Sequence, residues 1–102
     1  MKKIYVVITL KIKDIDLPAF KITEKFICGW FRKNKDARKA VEENWGDIHE
    51  DSLNYALIEE RFEGIYFDKV PKELWFKWDK EKESYQEIEK PEQLKQICSF
   101  MS

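Results

Sequence analysis

Glycine, proline and histidine are scarce in this chain, and each scarcity removes a class of chemistry. Its 102 residues hold three glycines, three prolines and one histidine. Gly29, Gly46 and Gly64 are too dispersed for a phosphate-cradling loop, which needs several glycines within one short turn. His49 cannot complete a zinc site, because no second histidine or cysteine pair accompanies it. Alternating Asp47, His49 and Asp51 could touch a divalent ion, yet three ligands from one short loop define no site, so a solvated acidic turn is the simpler expectation. Cys28 and Cys98 both sit in apolar settings, which favours buried thiols in a reducing cytoplasm over a disulfide. Burial would also raise the pKa of Cys28 and leave any pairing with His49 inert. No apolar run approaches the roughly 20 residues that cross a bilayer as a helix. Met1-Lys2-Lys3 and the apolar run to Leu10 have the outline of a secretion signal. Lys11 and Lys13 interrupt that run and no small-residue cleavage site follows, so a strand is expected instead.

What is present suits one folded domain over residues 1–102. Apolar residues make up 43% and charged residues 38%, and four Trp, four Tyr and seven Phe supply the surface for a core. Net charge is −1, but residues 1–40 hold eleven bases against four acids, and the remainder eight against sixteen. Such a division suits either a nucleic-acid face or attraction between the two halves within one fold, and the internal reading is preferred.

The periodicities set the elements. Ile4, Val6, Ile8, Leu10 and Ile12 alternate with Tyr5, Val7, Thr9 and lysines, so residues 3–13 form a long strand with a partly apolar reverse. A second strand follows at 24–31, with Phe26, Cys28 and Trp30 on one face and Ile27, Gly29 and Phe31 on the other. Gly29 suggests a bulge there, or a place where a large ring lies across the backbone. Ala37, Ala40, Val41, Asn44 and Trp45 follow a helical spacing that Gly46 ends. Strands are expected at 55–61, 74–79 and 85–89, the last two as a hairpin. Pro91 then opens a second helix with the stripe Leu94, Ile97, Cys98 and Met101. The order β-β-α-β-β-β-α predicts an α+β fold: a mainly antiparallel sheet of four to five strands with two amphipathic helices on one face. The expected core is Ile4, Val6, Ile8, Leu10, Val41, Leu57, Leu94 and Ile97, with Ala37 and Ala40 allowing close approach of the helix.

Two groups of residues stand out as candidate surfaces. In Leu74-Trp75-Phe76-Lys77-Trp78, Trp75 must point away from residues 74, 76 and 78. If helices cover one face, Trp75 projects from the other beside Lys77, and Tyr5 and Phe31 can join it as a docking face, unless the 14–23 segment folds across. Large apolar patches in water mark partners or ligands. The second group is basic: Arg32, Lys33, Lys35, Arg38 and Lys39, preceded by Trp30 and Phe31. Rings beside cations are what single-stranded nucleic acid requires, although a sequence pI of 5.9 is low for such domains. No constellation argues for an enzyme, a cofactor or a metal.

The segments Gly29-Trp30-Phe31, Ala37 to Asn44, Tyr55 to Glu60, Glu63-Gly64-Ile65-Tyr66, Trp75 to Trp78 and Ile88-Glu89-Lys90-Pro91 resemble a group of small uncharacterised bacterial proteins over residues 3–95. The likeness lies in apolar strand patterns. It implies a strand at 55–61 and a bacterial cytoplasmic origin, and it transfers no functional residue. The expectation is therefore an interaction module that associates through an open aromatic sheet face as a homodimer or larger homo-oligomer, without a membrane. A nucleic-acid-binding accessory protein is the alternative.

Overall fold

A computed structural model describes residues 3–13, 21–49, 53–62 and 72–94. Five strands, β1 (Lys3–Lys13), β2 (Lys21–Phe31), β3 (Tyr55–Phe62), β4 (Glu73–Asp79) and β5 (Ser84–Ile88), form one antiparallel sheet in the order β2-β1-β3-β4-β5. One α-helix, α1 (Asn34–Glu42), and two single 3-10 turns, Trp45–Asp47 and Glu92–Leu94, complete the described elements. The sheet with α1 makes an α+β fold, as the alternating runs predict. Asn44 takes the left-handed conformation at φ 50° just past the helix, and Gly46 follows at φ 62°. The helix therefore stops at Glu42, three residues short of Trp45, which is exposed rather than part of the core stripe.

Both faces of the sheet are packed. On one side Val7, Ala56, Ile58, Phe76 and Tyr85 meet Ala37 and Val41 of α1. On the other, Val6, Ile8, Leu10, Ile12, Tyr55, Leu57 and Trp75 meet Leu94. The expected single core is thus two cores. Val41 lies across the sheet from Val6, Ile8, Leu10, Leu57 and Leu94, and α1 covers the mixed face of β1 instead of its aliphatic face. Topology explains the choice. β2 and β3 both run antiparallel to β1, so they are parallel to each other and β2–α1–β3 is a crossover connection. Handedness, not periodicity, selects the face such a helix covers. Leu94 packs opposite α1, so the two helical segments do not share a face. Ile97, Cys98 and Met101 of the expected second helix lie outside the described residues.

The central strands are buried on consecutive positions: Tyr55, Ala56, Leu57, Ile58 and Glu59 are all below 5% exposure. That is the signature of a strand covered on both sides. Asn54 secures its start by acting as a further rung of the ladder. Its Oδ1 accepts from the Ile12 amide and its Nδ2 donates to the Ile12 carbonyl, each at 2.9 Å. On the far edge of the sheet, β2 carries two register shifts against β1. Val7 pairs with Gly29 and Ile8 with Ile27, leaving Cys28 over, and Thr23 is left over in the same way. The bulge expected at Gly29 therefore falls on its neighbour.

Truncating one large ring on each face tests the two-sided core. Phe76→Ala and Trp75→Ala should each lower stability by about 3–5 kcal/mol in urea unfolding. A Trp75→Ala loss within about 0.5 kcal/mol, the surface value, contradicts burial of that face.

Candidate functional site

The four residues expected to form one docking face are divided between the two faces. Tyr5 and Phe31 are register partners on the α1 side, half-buried against its core. Trp75 points the other way, as its spacing requires, but it is 1% exposed and its indole N–H donates to Glu73 Oε1 at 3.1 Å. Lys77 shares that second face and places its ammonium 5.8 Å from the centre of the Tyr55 ring. Trp75 is thus core, and the surface expected around it does not form. The 14–20 part of the segment proposed to fold across it lies outside the described residues.

Exposed apolar surface is found at the sheet edge, on β2. Ile27, Trp30 and Phe26 are 53%, 57% and 46% exposed. The bulge decides how they are grouped. Without it Ile27 and Trp30 would point to opposite faces. The extra residue Cys28 resets the alternation, so Trp30 lies opposite Val6 and Ile27 opposite Ile8, both on the side away from α1. Phe26 lies opposite Thr9 on the α1 side. Cys28 itself is an exposed thiol 3.3 Å from Thr9 Oγ1, which corrects the expectation of a buried one. Ile27 and Trp30 thus form a small apolar flank at the sheet edge, bounded by Lys25 and Ile22. Sequence reasoning missed it because the parity change depends on pairing with β1.

The basic segment separates into two parts. Arg38 turns toward β5 and meets Glu87 at 2.6 Å, while Lys39 lies 4.0 Å from Glu43 one helical turn on. Arg32, Lys33 and Lys35 are exposed at the entry to α1. Together with Lys3–Glu60 at 3.5 Å, these contacts join bases of the first forty residues to acids of the remainder. Three bases of the first forty residues are thus paired with acids of the remainder inside the fold.

Two further groupings are invisible in the sequence. Glu59 and Glu73 are directly opposed on β3 and β4, an unfavourable pairing unless compensated. Arg61 lies 2.9 Å from Glu59 and Lys90 2.7 Å from Glu73, so each buried carboxylate has its own cation. The balance is structural, because breaking a buried pair leaves an uncompensated charge. Elsewhere His49, expected in a solvated turn, stacks on Trp78 with ring centres 3.7 Å apart, and Tyr85 abuts both rings edge-on. Among the described residues no group of three or more His, Cys, Asp or Glu side chains gathers to hold a metal, and no helix is long and apolar enough to cross a membrane.

Tyr85 anchors this corner. Its hydroxyl donates to the Leu53 carbonyl at 2.7 Å. Burial first, then the negative charges of Cys28 and Asp47 when ionised, push its ionisation far above the ordinary value of 10.0. A raised pKa in the folded state means that the contribution is intact below about pH 10 and is lost as pH rises beyond it. Wild-type stability should fall more steeply above about pH 10 than that of Tyr85→Phe. At neutral pH Tyr85→Phe should cost about 1–3 kcal/mol by leaving the Leu53 carbonyl unpaired. Parallel alkaline profiles in chemical unfolding would contradict this account.

No protein-family model, curated protein or solved structure matches this chain.

Proposed function

We propose that this protein is an interaction module whose partner is a second copy of itself, docked through the Ile27–Trp30 flank of β2. The observation that carries the reading is the exposure of those two side chains, 53% and 57%, beside cores that are closed. Lys21, Lys25 and the two bulges blunt backbone pairing along the edge, so the contact is led by side chains. A two-fold axis sets Ile27 and Trp30 of one copy against the same residues of the other, and a patch with one neighbouring base and no adjoining buried charge suits such an isologous contact.

Magnitude sets its strength. Ile27 and Trp30 leave on the order of 200 Å² of apolar area in water per copy. Covering both copies at about 25 cal/mol per Å² is worth about 10 kcal/mol, against roughly 4–15 kcal/mol for association. The dimer is therefore weak and concentration-dependent. The nucleic-acid reading of Arg32, Lys33, Lys35, Arg38 and Lys39 stands second, since Arg38 and Lys39 already meet Glu87 and Glu43. An exposed thiol at Cys28 suits a reducing cytoplasm, in keeping with the bacterial origin that the resemblance implies.

Sedimentation of the wild type and of a Trp30→Ser, Ile27→Ser double variant over a range of concentration tests the reading. Wild type should shift from monomer to dimer as concentration rises, and the variant should stay monomeric with an unchanged circular dichroism spectrum. A wild type that remains monomeric throughout, or a variant that dimerises equally, removes the proposal.

A further inference from the structure

Away from β2, the segment 44–49 faces the turn between β4 and β5 across an open cleft of about 400 Å³, lined by Asn44, Asp47, His49, Trp78, Lys80 and Glu83. One wall is aromatic, the parallel His49–Trp78 stack backed by the edge of Tyr85. Among the described residues the rim carries two carboxylates, Asp47 and Glu83, against one ammonium, that of Lys80. The field of Asp47 reaches the aromatic wall, where it helps keep the Tyr85 hydroxyl protonated.

The loop is tied together from within. The Asn44 amide donates to Asp47 Oδ1 at 3.2 Å, and Asn44 Oδ1 accepts from the His49 backbone N–H at 3.0 Å. One side chain therefore fixes the acid relative to the His49 backbone, while stacking on Trp78 sets the imidazole plane. Asp79 does the same for the opposite turn, its Oδ1 accepting from the amides of Glu81 and Lys82. The two carboxylates thus sit on organised turns on either side of a π surface.

A π face beside an excess of carboxylate selects cations, and planar nitrogen cations most of all, since they stack on rings and donate to carboxylates together. We propose that this cleft binds a small organic cation, a guanidinium or ammonium group on a short apolar body. Asp47 and Glu83 receive the charge, and the His49–Trp78 pair receives the body. Exposure of the rim and competition from Lys80 keep the site weak, with a dissociation constant on the order of 1 mM. The inference is independent of the β2 reading, because none of these residues belongs to that flank.

His49 is the only histidine, so its ring protons give an unambiguous NMR reporter at the cleft. Titration of the full chain with agmatine at fixed pH and ionic strength should move those signals saturably, with half-saturation on the order of 1 mM. Glutarate, an anion of similar length, should not. Asp47→Asn with Glu83→Gln should weaken agmatine binding by about tenfold or more. Asn at 47 keeps an oxygen for the Asn44 amide, and the dispersion of the same spectra reports whether the fold is kept. Unmoved His49 signals, an equal response to glutarate, or unchanged affinity in a folded double variant would each overturn the proposal.

Discussion

Burial of β3 on both faces is the constraint from which the rest of this architecture follows. Ala56 and Ile58 face α1 while Tyr55 and Leu57 face the opposite core. With β3 and β1 at the middle of the order β2-β1-β3-β4-β5, Val6, Val7, Ile8, Leu10, Ile12, Leu57 and Ile58 are all removed from water. A sheet so covered cannot offer its centre to a partner. Exposed apolar and aromatic surface therefore lies at its edges and connecting turns, where Ile27, Trp30 and the His49–Trp78 cleft are found.

The same constraint explains the charges. Glu59 is fully buried on β3, where an isolated carboxylate is costly, and the neighbouring strand sets Glu73 directly against it. Arg61 and Lys90 compensate this end of the sheet. On the other face Arg38 reaches from α1 to Glu87 on β5. Ion pairs that close the fold in this way leave less charge for a polyanion. The apolar flank on β2 is the surface on which the proposed association rests.

Much of the fold was legible in the chain because strand periodicity is local. The alternation of Ile4 to Ile12 marked β1 to the residue, and the apolar run from Tyr55 marked β3. The direction of Trp75, opposite to Leu74, Phe76 and Trp78, was also correct. What the alternation could not say was which face the helix would cover, because that depends on the β2–α1–β3 crossover. The error placed Trp75 in water. Parity along β2 failed for a related reason, since one unpaired residue, Cys28, turned Trp30 to the side of Ile27. His49 gave no local signal at all, its stacking partner Trp78 being distant in sequence. The one cue that β2 is an edge was its charge, with Lys21, Glu24 and Lys25 in a strand that would be apolar if central.

The central claim is that Trp75 is core and Trp30 is surface. Incorporating 5-fluorotryptophan resolves the four tryptophans by ¹⁹F NMR, with each signal assigned by single substitution. A soluble paramagnet added at low protein concentration should broaden the Trp30 resonance strongly and leave that of Trp75 sharp. A broadened Trp75 signal beside a protected Trp30 would contradict the arrangement on which both the packing and the proposed association rest.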